Sequence, residues 1–236
     1  MSTDLERAER AEDALARRDE LYALVIHDLR NPLNAISMSC ALLGDDVQGA
    51  AKETLARIKR AVDRMEKLMR DVTEMTRLEQ GLVKLDLVSL SVHDLLGHAF
   101  MPFTQRAAAK SLTFQLRAID PSWRIMIDRE RIMWALHAMI DNAVKVTPET
   151  DGVVTLSAEE RGDSIEIIVS DNGPGLTSED QATIFERHRR INKKRGQGLA
   201  LGLAQAAMIV NLHGGSVGAE STPGKGARFW MRLKKG

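Results

Sequence analysis

The segment His27-Asp28-Leu29-Arg30-Asn31-Pro32-Leu33 lies inside a long helical pattern of apolar residues. This pattern has alternating spacings of four and three residues, through Tyr22, Ile26, Leu29, Leu33, Ile36, Cys40 and Leu43. Such spacing is typical of a helix that packs in a bundle or a coiled coil. His27 falls on the outside of that helix, with Asp28 beside it and Asn31 one turn further on. The segment is therefore predicted to hold an imidazole, a carboxylate and an amide on a rigid, accessible helix.

An exposed histidine on a helix is most often a solvated surface residue, and on spacing alone that interpretation stays open. Pro32 argues against it, because a proline inside a helix costs about 3 kcal/mol. The apolar pattern nevertheless continues past Pro32 to Leu43. Something other than helix stability therefore favours this segment, and a nucleophile that meets successive partners would suit it.

Composition and charge exclude several classes of protein. The 236 residues include 33 Lys and Arg against 33 Asp and Glu, so no basic field favours nucleic acid or an anionic membrane. The single cysteine, Cys40, is predicted to be a small core residue and fits a reducing cytoplasm. The sequence has no signal-peptide pattern and no apolar run of about 18 residues. We therefore expect a cytoplasmic chain with no membrane span and no nucleic acid partner.

The first 82 residues are predicted to be helical. Residues 1–22 are rich in Ala, Glu and Arg, which indicates a helical or coiled-coil lead-in. After a turn at residues 44–49, a second helix has apolar residues at Leu55, Ile58, Val62, Met65, Met69 and Val72. One such hairpin cannot bury its own seam. We therefore expect a homodimer in which two hairpins form a four-helix bundle.

From residue 85 onward, short strands alternate with helices. Strands are predicted at residues 85–90, 112–116, 124–127, 153–158, 164–170, 216–219 and 227–233. Helices are predicted from the Ser91 cap to residue 109, from the Asp128 cap to Lys145, and over residues 199–212. The mixture predicts an α+β fold with helices on one face of a mixed sheet.

Two polar segments of this half could carry chemistry. Asn142 offers a carboxamide oxygen suited to Mg²⁺, and Lys145 shares its helix face and could hold a phosphate. Asp171 follows an apolar strand and could accept a hydrogen bond from a purine amino group, while Gly173 and Gly175 let backbone approach a flat ring. Taken singly, the first segment is more often a helix cap and the second an ordinary turn.

A glycine-rich segment precedes and opens the last predicted helix. Gly196, Gly198 and Gly202 lie near its N-terminus, where backbone N–H groups can bind phosphate. The residues before it are basic, namely Arg187, His188, Arg189, Arg190, Lys193, Lys194 and Arg195. A glycine loop alone is weak evidence, and a basic loop is more often a solvated surface.

The order of these motifs is more specific than any one of them. It runs His-Asp-x-x-Asn-Pro, Asp-Asn-Ala-x-Lys, Asp-x-Gly-x-Gly, Ile-Phe-Glu-Arg, then Gly-x-Gly with Leu-x-Leu-Gly-Leu. The chain resembles the transmitter core of a bacterial two-component sensor histidine kinase. The resemblance implies a dimerisation and histidine-phosphotransfer domain over residues 23–82, in a dimeric four-helix bundle. It also implies a catalytic ATP-binding domain over residues 88–236, an α/β sandwich of the GHKL or Bergerat type.

The resemblance also implies roles at matching positions. His27 would be the phosphoacceptor, Asp28 would orient or deprotonate it, and Asn31 would position water for dephosphorylating a partner. Asn142 would hold Mg²⁺ and Lys145 the phosphates of ATP. The other ATP-binding residues would be Asp171 at the adenine, Gly173 and Gly175 at its pocket, Phe185 and Arg187 in a lid, and Gly198 and Gly202 at the phosphates.

The implied partners are a second copy of the chain, the receiver domain of a response regulator, and an upstream sensor joined through the N-terminal helix. Five positions depart from the family pattern, namely Ala138, Val146, His188, Ala200 and Ala227. Because Asn142 and Asp171 are kept, we expect Mg-ATP binding and histidine kinase activity. Two alternatives stay open: a pseudokinase scaffold that docks a regulator, and a phosphatase-dominant protein that uses Asn31.

Overall fold

The computed structural model describes residue 29 and residues 31–43, 47–186 and 201–236. The chain divides after Leu82 into two compact units, and each has its own architecture. In the part of the chain that the structure describes, no helix is both long enough and apolar enough to cross a membrane.

The first unit contains the predicted helical hairpin. Residues 31–42 form helix α1, which continues past Pro32, and Ala50–Glu79 form helix α2. Gly49 precedes α2 with a φ of 64°, a left-handed conformation that glycine adopts without strain. Leu33 of α1 packs with Val62 and Met69 of α2 in a small core.

The apolar seam of this hairpin is only half buried within one chain. The members that are buried recur every seven residues, and they are Leu33, Cys40, Leu55, Val62 and Met69. The members between them are 42% to 53% exposed, and they are Leu29, Ile36, Leu43, Ile58 and Met65. The predicted core position of Cys40 is confirmed. We name the second set the exposed stripe; it is a row of large apolar side chains in contact with water.

The second unit is the predicted α+β sandwich. Its strands are β1 (Val88–Ser91), β2 (Thr113–Leu116), β3 (Arg124–Ile127), β4 (Val153–Arg161), β5 (Ser164–Asp171), β6 (Ser216–Ser221) and β7 (Ala227–Lys234). Its helices are α3 (Val92–Ala109), α4 (Arg129–Val146), α5 (Ser178–Thr183) and α6 (Gly202–Leu212).

The main sheet has five strands in the order β2-β4-β5-β7-β6, and β1 pairs separately with β3. It is mixed, because β2 runs parallel to β4 while the other neighbours are antiparallel. Side chains alternate along β7, where Phe229, Met231 and Leu233 are buried. They form one core with the helices α3, α4 and α6, which contact the sheet.

A charged group lies between β5 and β7. The carboxylate of Glu166 is 2% exposed and accepts hydrogen bonds from Arg228 and Arg232, each at 2.6 Å. Burial by itself would raise the pKa of Glu166, but the two guanidinium groups outweigh it and lower that pKa. The cross-strand pairs therefore let this part of the sheet hold a buried charge.

Most predicted elements are confirmed, with four corrections. The predicted strand 85–90 begins three residues late, at Val88, and the predicted strand from residue 153 continues to Arg161 because β4 pairs with β5 over that whole length. The short helix α5 was not predicted. The last helix, predicted from residue 199, begins at Gly202 in the described part of the chain, with Leu201 as its N-cap.

Candidate nucleotide-binding site

Asp171 ends strand β5 and is 8% exposed. One carboxylate oxygen, Oδ1, accepts a hydrogen bond from the backbone N–H of Gly173 at 2.8 Å. The other oxygen, Oδ2, is buried and has no hydrogen-bond partner among the described residues. Burial raises the pKa of Asp171, although the hydrogen bond from the Gly173 N–H and, less strongly, the nearby Ala227 N–H act in the opposite direction. An unpaired buried acceptor is costly, so this oxygen is suited to a ligand that donates a hydrogen bond.

The loop after Asp171 leaves little space beside its glycines. A Cβ on Gly173 would lie 2.7 Å from Asp171 Oδ1 and 3.3 Å from the Val146 side chain at the end of α4. Gly175 has a φ of 70°, and a Cβ there would overlap the carbonyl oxygen of Thr222. The glycines let this loop pass close to α4 and to the turn after β6, where a larger residue would overlap its neighbours.

Helix α4 brings the other predicted ligands beside that loop. Asp128 caps its N-terminus by accepting a hydrogen bond from the backbone N–H of Arg131, and Thr147 ends it before Pro148. Asn142 lies in the last turn and is half-buried. Since Val146 touches the Gly173 segment and lies one turn after Asn142, the amide belongs to the same end of the sandwich as Asp171.

Lys145 is exposed and forms an ion pair, with its Nζ 2.5 Å from Asp141. Arg106 of α3 contacts the same carboxylate at 2.7 Å. Burial alone would raise the pKa of Asp141, but Lys145 and Arg106 outweigh it and the pKa is lowered. Lys145, which is predicted from the sequence to bind phosphate, is therefore already paired with a carboxylate of the protein.

Helix α6 reaches α4 with its N-terminal end. A Cβ on Gly202 would lie 3.5 Å from Cβ of Ala138, which is one turn before Asn142. The first backbone N–H groups of α6 are therefore near the face of α4 that carries Asn142. This arrangement fits an anion, because N–H groups at a helix N-terminus bind negative charge.

A second group of residues braces the site from β6. Gln181 of α5 exchanges two hydrogen bonds of 3.0 Å with the backbone of Ser221. The Ser221 hydroxyl donates to the carbonyl of Gly226 at 2.5 Å and accepts from the Leu176 N–H at 2.8 Å. Sequence reasoning missed this group, because Gln181 and Ser221 are 40 residues apart and neither lies in a recognisable motif.

Phe185, predicted to belong to a lid, packs edge-on against Phe229 with 6.1 Å between ring centroids.

Asn31 is exposed on α1, as its predicted contact with a partner requires. Four predicted site residues, His27, Asp28, Arg187 and Gly198, lie outside the described residues. In the described residues of the second unit, Gly173 and Gly175 follow Asp171 in one loop, and Gly202 lies beside Ala138, one turn before Asn142. The Lys145 amine is instead paired with Asp141.

This constellation fits a purine nucleotide. The buried Oδ2 of Asp171 fits an amino group, the glycine loop fits a flat ring, and the start of α6 fits phosphate. Among the described residues no group of three or more His, Cys, Asp or Glu side chains could hold a metal ion. The Asn142 amide offers one oxygen donor of the kind that Mg²⁺ accepts.

The chain belongs to the sensor histidine kinases and carries their transmitter core. Residues 17–81 match the family of the His Kinase A (phospho-acceptor) domain. Residues 127–236 match the family of the Histidine kinase-, DNA gyrase B-, and HSP90-like ATPase.

Similar proteins include two curated sensors. The alginate biosynthesis sensor protein KinB of Pseudomonas aeruginosa is 33% identical over 220 residues, which are 92% of this chain and 37% of KinB. The sensor histidine kinase ZraS of Klebsiella oxytoca is 30% identical over 94% of this chain and 48% of ZraS. The chain thus spans less than half the length of either relative.

Solved structures show the same architecture. Full-length ShkA in complex with AMPPNP is 28% identical and superimposes with a TM-score of 0.80 over 92% of this chain and 46% of ShkA. The histidine kinase ThkA in complex with response regulator protein TrrA is 20% identical, with a TM-score of 0.64 over 92% of this chain and 61% of ThkA. At that identity the second likeness concerns the fold alone.

Proposed function

We propose that this chain is a Mg-ATP-dependent protein histidine kinase that phosphorylates its own His27 and passes the phosphoryl group to an aspartate of a response regulator. The observation that carries the proposal is the buried, unpaired Oδ2 of Asp171 beside the glycine loop and the Asn142 turn of α4. The match of residues 127–236 to an ATPase family supports ATP as the ligand of that site.

In the proposed complex, Asp171 Oδ2 accepts a hydrogen bond from the adenine amino group, and Gly173 and Gly175 lie against the ring. Guanine carries an oxygen instead of this amino group, so the same carboxylate discriminates against GTP. The bond also removes the cost of a buried acceptor without a partner. Affinity and selectivity for adenine therefore come from one side chain.

The phosphates lie toward the start of α6 in this proposal. Asn142 is the protein ligand of Mg²⁺, and Lys145 and the N–H groups near Gly202 contact the phosphate oxygens. Phe185 and Arg187 belong to the lid over them, and Gly198 lies with Gly202 at the hinge beside the phosphates. Mg²⁺ would neutralise charge on the phosphates during transfer, which is the main requirement of phosphoryl transfer.

The phosphoacceptor group is His27, with Asp28 and Asn31. One imidazole nitrogen of His27 attacks the γ-phosphorus, the bond from that phosphorus to the β–γ bridging oxygen breaks, and ADP leaves. Asp28 orients the ring or takes its proton. Asn31 would position a water for hydrolysis of the regulator's phosphoaspartate, and its exposure on α1 supports contact with a second protein.

The exposed stripe of the hairpin supports a homodimer as the working form. Five large apolar residues in water would be buried if the stripes of two chains met in a four-helix bundle. The finding that residues 17–81 match a phosphoacceptor domain supports the same assembly.

We also propose the domain boundaries 23–82 and 88–236, with residues 1–22 as the lead-in from an upstream sensor. That lead-in lies outside the described residues. The proposed location is the cytoplasm, where ATP and a response regulator would be available to the kinase.

Incubation with γ-labelled ATP and Mg²⁺ tests the proposal, with Asn142→Ala as the matched variant. The expected result is label on the wild-type chain and at least tenfold less on the variant. No label on a folded wild-type chain that binds ATP would contradict the kinase proposal. Removal of phosphate from a phosphorylated regulator by that chain would then favour the phosphatase-dominant alternative, and docking without turnover would favour the scaffold.

A further inference from the structure

His213 follows α6 and makes two hydrogen bonds through its two ring nitrogens. Nε2 lies 3.0 Å from the backbone nitrogen of Asp128, and Nδ1 lies 2.7 Å from the carbonyl oxygen of Ile209. A backbone N–H can only donate, so Nε2 is the acceptor and carries no hydrogen. Nδ1 therefore carries the hydrogen and donates it to Ile209.

The partner of His213 is the residue that starts α4. Asp128 caps that helix with Oδ1, and its Oδ2 accepts a hydrogen bond from the Asp86 N–H at 3.2 Å and faces Arg131 at 3.4 Å. The carboxylate of Asp128 is thus engaged elsewhere, and its N–H is the group that meets His213. One bond consequently joins the end of α6 to the start of α4.

The other end of α6 also lies on α4, where Gly202 meets Ala138. The two helices are therefore antiparallel and fixed to each other at both ends. Any shift of α6 along α4 moves Gly202 relative to Asn142, which lies one turn beyond Ala138. Of the two contacts between α6 and α4 described above, the hydrogen bond at His213 is the polar one, and it would resist such a shift.

We propose that His213 is a positioning residue of the nucleotide site, and that its Nε2 fixes the register of α6 against α4. The inference rests on the proposed function, because it assumes that phosphate binds between the start of α6 and Asn142. His213 does not touch the nucleotide. It acts on affinity through the placement of the α6 N-terminus.

Two substitutions in the full chain separate this role from general stability. His213→Gln places an amide oxygen near the position of Nε2 and keeps an acceptor for the Asp128 N–H. His213→Asn is shorter and can reach only its own helix. Thermal unfolding of both variants is measured first, to establish that each is folded before its ATP binding is titrated.

The first readout is hydrogen exchange of the Asp128 amide by NMR without nucleotide. Exchange is expected to stay slow in wild type and in His213→Gln, and to become at least tenfold faster in His213→Asn. The second readout is the Kd for ATP. It is expected to rise about tenfold in His213→Asn and less than threefold in His213→Gln.

A His213→Asn chain with a fast-exchanging Asp128 amide and wild-type ATP affinity would overturn the positioning role. Slow exchange in that variant would overturn the hydrogen bond itself. Failure of the wild-type chain to bind ATP would instead overturn the proposed function and, with it, this role. The two failures are thus distinguishable by the wild-type titration.

Discussion

Asp171 Oδ1 accepts a hydrogen bond from the backbone N–H of Gly173 at 2.8 Å, while Oδ2 is buried without a partner among the described residues. The pairing engages Oδ1 and leaves Oδ2 as the acceptor that is still available. A side chain in this state is prepared for an external donor, and the proposed donor is the adenine amino group.

Asp171→Asn should weaken ATP binding at least tenfold, because a neutral amide is a weaker acceptor and can turn its NH₂ group toward the ligand. Selectivity for ATP over GTP should fall in the same variant. Titration with both nucleotides measures the two effects.

Thermal unfolding supplies the control for this variant. Burial raises the pKa of Asp171 above its ordinary value of 3.8. At pH values above 3.8 the ionised side chain therefore lowers the free energy of unfolding. The asparagine variant should therefore be at least as stable as wild type at pH 7. Unchanged ATP affinity in a folded Asp171→Asn chain would contradict the assignment of the adenine site.

Gly226 and Gly224 form a matched pair for testing how tightly the site is built. Both have a φ of 80°, but a Cβ on Gly226 would overlap the carbonyl oxygen of Asp171 and a Cβ on Gly224 would meet nothing within 4 Å. Gly224→Ala should cost about 1 kcal/mol of stability for its backbone conformation alone. Gly226→Ala should cost more and should weaken ATP binding, since Asp171 must move. Stability is measured by urea unfolding and ATP affinity by titration. Equal losses of both in the two variants would show that the close approach of Gly226 to the Asp171 carbonyl is unimportant.

The Asp141 carboxylate between Lys145 and Arg106 should contribute to stability near neutral pH. Its pKa is lowered, so its contribution is present above the ordinary value of 3.8 and is lost as pH falls through the lowered pKa. Asp141→Asn should cost about 1–2 kcal/mol at pH 7, between the values typical of exposed and buried pairs.

The difference in unfolding free energy between wild type and Asp141→Asn should shrink below pH 3.8. Glu149→Gln, at an exposed position, is the control and should change stability little at any pH. A difference that does not depend on pH would mean that lost packing, rather than lost charge, explains the effect.

Ile36 of the exposed stripe should be essential for dimer formation. Ile36→Lys places a charge where two stripes are proposed to meet, so sedimentation velocity should report the mass of one chain, 26.1 kDa. Met38→Lys is the control, because Met38 is 68% exposed and lies outside the stripe. A wild-type chain of 26.1 kDa at micromolar concentration, or a dimeric Ile36→Lys chain, would speak against the bundle.

Local signals predicted much of the second unit. The sequence predicts helix caps at Ser91 and Asp128, and both side chains accept hydrogen bonds from the backbone three residues on. The helix α5 has a comparable signal, with Thr177 accepting from the Asp180 N–H, so it could have been found in the same way. Its six residues are too short for an apolar period to show.

Contacts between distant segments could not be predicted. The spacing of Asp141 and Lys145 suggests an ion pair, but nothing in the sequence places Arg106 beside them. His213 lies between the last predicted helix and two glycines, and nothing in that segment indicates its bond to Asp128, which is 85 residues away. Such pairs depend on how the helices pack on the sheet, which a pattern along one segment does not encode.

Identification of the phosphorylated residue tests the central claim most directly. Wild type and His27→Gln would be incubated with γ-labelled ATP and Mg²⁺, and the label would be followed after acid and base treatment. We predict acid-labile, base-stable label on the wild-type chain and none on the variant, with ATP affinity unchanged because the proposed ATP ligands all belong to the second unit. Label that persists on His27→Gln, or label that survives acid, would contradict the account.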